Sequence, residues 1–151
     1  MNLRFRIAEE ADLPEIVRLL ADDHLGAKRE KYADPLPESY AKAFRDLKAI
    51  GADVILALDE AGAIIGCLQL LILPGLGSQG KKRAQIEAVR IESRLRGKGL
   101  GSKLIEHAAQ LAKSRGCGLV QLTSDNSREG AHKLYERLGF KASHVGMKRY
   151  L

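Results

Sequence analysis

The residues best suited to chemistry are the run Arg94-Leu95-Arg96-Gly97-Lys98-Gly99-Leu100-Gly101-Ser102, set between a strand-like segment and a long amphipathic helix. Glycines at 97, 99 and 101 let the backbone turn sharply and approach a ligand with no Cβ in the way. The free amides and positive dipole end of a following helix make an anion site. Arg94, Arg96 and Lys98 add positive charge at the same place, so the chemistry indicated is phosphate binding. Inside a helix each glycine would cost roughly 1 kcal/mol, so three of them need a reason. Two familiar phosphate motifs do not fit. Lys98 is followed by Gly99 rather than Ser or Thr, and the third glycine comes one residue early for a dinucleotide fingerprint.

The charge distribution points the same way. The chain has 151 residues and a net charge of +6. The segment Lys81 to Lys103 holds eight cations and two anions, so it carries the whole excess. Such a patch suits nucleic acid, an anionic membrane or a phosphorylated small molecule. Aromatic residues are only 5% and Trp is absent, which leaves few platforms for stacking bases. The longest apolar stretch, Ile64 to Leu73, is interrupted by Gln69 and is too short to cross a bilayer. The first residues hold no apolar leader core. Cys67 and Cys117 form neither a disulfide framework nor a zinc motif and read as small hydrophobes in a reducing compartment. A soluble, cytoplasmic, single-domain protein spanning 1–151 is expected, with no metal, although Glu87 with His132 stays open as a ligand pair.

The elements that must position the loop follow from periodicity. Leu3 to Ile7 alternates as a half-buried strand. Asp12-Leu13-Pro14-Glu15 opens a helix with Asp12 as its cap, and Leu13, Ile16, Val17 and Leu20 form its apolar face. Residues 24–38 read as a loop or broken helix, and Ser39 to Ile50 as a second helix closed by Gly51. Asp53 to Leu58 and Ala63 to Leu73 make a hairpin. Pro74 to Gly80 is a glycine-rich loop, and Ala84 to Ile91 a strand. Gly99 to Arg115, Leu119 to Thr123 and Arg128 to Leu138 read as helix, strand and helix, and Val145 to Leu151 as a last strand. The order β-α-α-β-β-β-α-β-α-β is an α/β arrangement with a mixed sheet.

Arg96-x-x-Gly99-x-Gly101 after a strand resembles the acetyl-coenzyme A loop of the GCN5-related N-acetyltransferase (GNAT) superfamily. The downstream Ala131-His132-Lys133-Leu134-Tyr135-Glu136-Arg137-Leu138-Gly139-Phe140 resembles the family's second hallmark. The resemblance implies a central sheet splayed at the cofactor strand, and acetyl-coenzyme A as co-substrate. It implies pyrophosphate on the amides of Arg96, Gly97, Lys98, Gly99, Leu100, Gly101 and Ser102, with Arg94, Arg96 or Lys98 near the ribose phosphate. Val89, Arg90 and Ile91 would offer backbone groups to the pantetheine arm. Many family members have Asn three residues before the Ala of the second motif; here Arg128 stands there and Asn126 is the nearest amide, so both are candidates for the cofactor. The Arg128-x-x-Ala131-His132-x-x-Tyr135 run and the Ser143-His144 pair are similar to an aminoalkylphosphonate-acetyltransferase subgroup.

Acetyl transfer to an amine needs a base, because an ammonium has no lone pair, and a proton for the departing thiolate. Glu87, just ahead of the cofactor segment, is the candidate base; pairing with Lys82 or Arg83 is its alternative. With Ile86 and Val89 on opposite faces, Glu87 is expected on the Val89 side. Tyr135 on its helix's apolar face is the candidate acid, or else a core tyrosine with a satisfied hydroxyl. His132 is expected to pack through a hydrogen bond. The expected function is N-acetylation of a primary amine, with a small molecule favoured and no nucleic acid or membrane partner; a homodimer is left open. Residues 24–38 and 74–82 would wall the acceptor. The alternatives are a non-catalytic cofactor-binding fold and a nucleic-acid or acidic-partner module.

Overall fold

The computed structural model describes residues 2–151. Its elements are β1 (Arg4–Ile7), α1 (Leu13–Ala21), α2 (Gly26–Arg29), α3 (Glu38–Ala49), β2 (Asp53–Leu58), β3 (Ile64–Leu73), a single turn α4 (Gly77–Gly80), β4 (Arg83–Ile91), α5 (Leu100–Ser114), β5 (Leu119–Leu122) and α6 (Glu129–Arg137). The strands lie in sequence order in one open sheet. The first four are antiparallel, and β5 joins β4 in parallel after the α5 crossover.

Both faces of the sheet are covered, and each cover follows from a helix stripe. On one face α5 buries Leu100, Leu104, Ile105, Ala108 and Ala112 against Ile55, Leu68, Leu70 and Ile86. On the other, Leu13, Ile16 and Leu19 of α1 and Phe44 of α3 close over Val54, Leu56 and Cys67. Fully burying a side chain of this size is worth roughly 1.5–3 kcal/mol, so these two layers hold the sheet in place.

The structure corrects three expectations. Val145 to Leu151 forms no strand; it pairs with nothing in the sheet, and Val145, Met147, Tyr150 and Leu151 are exposed. The alternation is present, but a strand needs a partner edge. Asp12 does not cap α1. Its carboxylate accepts from the Glu9 amide (2.8 Å) and from both Arg6 guanidinium nitrogens (2.7 and 2.8 Å), fixing a 3-10 turn that leads into the helix. The 74–80 segment tightens into one turn with Ser78 and Gln79 left-handed.

A further correction bears on the site. Gln69 faces Glu87 and Cys67 faces Arg90, so Ala88 and Val89 together oppose Leu68. This is a β-bulge, and Ala88 takes a positive φ of 55°. The extra residue puts Val89 on the α5 face beside Ile86, which leaves Glu87 on the opposite, α1–α3 side.

Candidate active site

The bulge lies where β4 leaves β5. Pairing between them covers only Arg83 to Ile86. From Glu87 to Ile91, β4 has β3 on one side and no strand on the other, the splay expected of the central sheet. An open strand edge presents amides and carbonyls that an extended molecule can pair with.

At the end of β4 the chain turns through Ser93–Leu95 into the glycine loop. Gly97 and Gly99 are left-handed, with φ of 76° and 77°, and a Cβ at either would meet nothing within 4 Å. Both therefore serve the turn and leave open space above it. Gly99 is the residue before α5, whose first turn holds no acidic residue. The geometry fits a phosphate on the free amides of Leu100, Gly101 and Ser102. Gly101 has a different task. A Cβ there would lie 3.4 Å from Leu134 Cδ2 and 3.8 Å from Ile91 Cγ1, so any larger side chain would press on α6 and the end of β4.

The cations around the loop are largely engaged. Arg94 forks onto Glu92 (2.8 and 3.2 Å). Arg96 donates from Nε to the Ile91 carbonyl (3.0 Å) and from Nη2 to the Asp22 carbonyl. Asp22 also accepts from the Ser93 amide (2.7 Å), so the end of α1 braces the loop. Lys98 is exposed and makes no ion pair among the described residues. It is the loop cation most available to a ligand.

Arg90 and Arg128 converge on Asp23. Arg128 Nη1 donates to Asp23 Oδ2 (2.8 Å), Arg90 Nε lies 3.5 Å from the same oxygen, and the Gly26 amide donates to Oδ1 (2.6 Å). Asp23 is only 8% exposed. Burial alone would raise its pKa. The Arg128 and Gly26 hydrogen bonds and the two guanidinium charges outweigh that and hold it well below the usual carboxylate range. Asp23 was invisible in the sequence, where it is one of several polar residues after α1. Its role comes from partners that are distant along the chain.

Tyr135 is largely buried on α6, edge-on to Phe140 at 5.8 Å between ring centres. Burial pushes its phenol above the ordinary 10.0, opposed by the nearby charges of Arg90 and Arg128. Glu87 is half-buried and forms no salt bridge with Lys82 or Arg83; Gln121 Nε2 donates to Gln85 Oε1 (2.7 Å), and Gln85 Nε2 donates to Glu87 Oε1 (3.0 Å). This relay from β5 fixes the carboxylate. His132 Nε2 lies 3.0 Å from the Asp125 carbonyl, within hydrogen-bond reach. Asn126 is exposed beside it. Among the described residues no group of three His, Cys, Asp or Glu is placed to hold a metal, and no helix is long and apolar enough to cross a membrane.

A mixed sheet splayed at its fourth strand, with a glycine loop opening the next helix, is the arrangement that the resemblance implies. The acetyltransferase (GNAT) family profile matches residues 13–140. A protein of Trypanosoma brucei brucei named glucosamine 6-phosphate N-acetyltransferase is 31% identical over 98% of this chain and 95% of its own length. A crystal structure from Bacillus halodurans C-125, described as a transcriptional regulator, is 47% identical with a TM-score of 0.94, covering 99% of this chain and 100% of that one. The aminoalkylphosphonate N-acetyltransferase of Salmonella typhimurium is 33% identical over 67 residues, 44% of each chain. This chain belongs to the GNAT family, and it is an acyl-coenzyme A-dependent N-acetyltransferase with acetyl-coenzyme A as co-substrate.

Proposed function

We propose that the protein acetylates a small-molecule primary amine by direct transfer, with Glu87 as base and Tyr135 as acid. The observation that carries this reading is the segment Glu87–Ile91. It is open along one edge, begins at a fixed carboxylate and ends at a glycine loop. The backbone of Val89, Arg90 and Ile91 holds the pantetheine arm, and the amides of Arg96 to Ser102 hold the pyrophosphate. Lys98 serves the ribose phosphate with Arg94 and Arg96 behind it, and Asn126 and Arg128 flank the arm from the α6 side. Acetyl-coenzyme A supplies a thioester, whose carbonyl carbon is open to a neutral amine.

Glu87 takes a proton from the incoming ammonium, and the Gln85–Gln121 relay keeps one carboxylate oxygen free for it. Tyr135, a phenol that is protonated at neutral pH at its ordinary value and is held above it by burial, gives its proton to the departing thiolate. It is restored by the proton that the nitrogen sheds as the amide forms. The free thiols Cys67 and Cys117 suit a reducing cytoplasm. Nucleic-acid binding is disfavoured because Arg90, Arg94 and Arg96 of the basic segment are paired with the chain's own carboxylates.

Thiol release across a panel of amines, with retention on DNA as the control, tests the reading. Glu87→Gln should lose ~10²-fold in turnover at pH 6.5 and recover part of it at pH 9, where more of the amine is already neutral. Wild-type turnover at both pH values would remove Glu87 from the mechanism.

A further inference from the structure

Between α1, α3 and the sheet lies a cavity of about 150 Å³, with Leu13, Val17 and Leu20 on one side, Phe44 and Leu47 on another, and Ala88 of the bulge on its floor. No charged side chain lines it. Of its polar neighbours, the Tyr40 hydroxyl is already committed, donating to Glu30 Oε2 (2.7 Å) and accepting from the Lys31 amide (2.9 Å). Cys67 is fully buried, and burial pushes its thiol up to about 12, so it stays neutral. Gln69 is the one uncommitted polar side chain in the lining, and it is the direct cross-strand partner of Glu87.

We propose that this cavity is the acceptor pocket, and that it takes a primary amine on a compact apolar body of ring or branched-alkyl size. The inference rests on the reading of Glu87 as base. The bulge is what joins cavity and base. It places Ala88 in the cavity wall and keeps Glu87 on the α1–α3 side of the sheet, next to Ala88 in sequence and directly across from the lining residue Gln69. An apolar cavity of roughly 150 Å³ is large enough to hold a benzene ring. The occupant's body fills the space under α1 and α3, and its ammonium meets the Glu87 carboxylate. A sugar phosphate or aminophosphonate is refused by the same lining, because its anion would be desolvated with no cation or free donor beyond Gln69 to receive it. Recognition is then by shape and by one charge pair, as in most small-molecule pockets.

The test is kcat/KM by thiol release for benzylamine and isopentylamine against glucosamine 6-phosphate and 2-aminoethylphosphonate. The apolar amines should lead both anionic ones by at least tenfold. Ala43→Phe, which fills the cavity from the exposed side of α3, should remove most of that lead while acetyl-coenzyme A affinity by calorimetry stays as in the wild type. Leu47→Ala widens the cavity and should shift preference toward bulkier amines; it carries the test should Ala43→Phe fail to fold. Preference for an anionic amine, or apolar-amine kinetics unchanged in both folded variants, overturns the pocket assignment. If an anionic amine is acetylated in a Glu87-dependent way, only this inference falls. If acetyl-coenzyme A binds and no amine of either class releases thiol, the reading of function falls with it.

Discussion

Tyr135 and Asp23 are held at opposite ends of one electrostatic arrangement. Arg90 and Arg128 bear on both. No hydrogen bond fixes the Tyr135 hydroxyl among the described residues, so Tyr135→Phe should change stability by less than about 1 kcal/mol. As the proton donor it should still lose turnover on the order of 10²-fold with cofactor affinity unchanged; wild-type turnover in single-turnover thiol release would show that it only packs. Asp23→Asn should cost about 2 kcal/mol at neutral pH, because Arg90 is left buried without its carboxylate. The folded pKa of Asp23 is depressed, so its contribution is complete above the unfolded value near 3.9 and is lost as pH falls through the folded value. The stability gap between wild type and Asp23→Asn, measured by urea unfolding, should therefore hold steady from pH 7 to 5 and narrow below about pH 4. At this scale the sequence disclosed residue types but not faces. Glu87 and Tyr135 were visible as candidates. The side on which Glu87 lies was not, because an alanine at a bulge looks like any other strand residue.

Among the elements, the β4–loop–α5 unit was the most legible, since glycine spacing, helix stripe and strand pattern are all local properties. The final strand was the least legible, because its existence depends on an edge elsewhere in space. The three glycines of the loop also looked alike in sequence, and the structure separates them. Gly99 is left-handed in open space, so Gly99→Ala should cost roughly 1 kcal/mol of stability through strain and weaken acetyl-coenzyme A at least tenfold by calorimetry. Gly101→Val should act instead through Leu134 and Ile91, displacing α6 and lowering the Tm. Equal losses of cofactor affinity and Tm in the two variants would contradict this division.

For the molecule as a whole, both faces of the sheet are covered by helices while residues 145–151 add no buried contact to either core. Deleting them should alter unfolding free energy by no more than about 0.5 kcal/mol, as denaturant titration can check. The Asp22–Asp23 corner contrasts with this tail. It bonds Ser93 and Arg96, 71 and 74 positions away, and Arg128, 105 positions away. Closing such long loops costs entropy before the contacts repay it, so the corner is expected to form after the folding barrier. The corner then works as a latch in time: cutting it at Asp23 should leave the refolding rate near wild type and appear almost wholly as faster unfolding. The lifetime of the assembled cleft, and not merely its population, is set by a turn between two short helices.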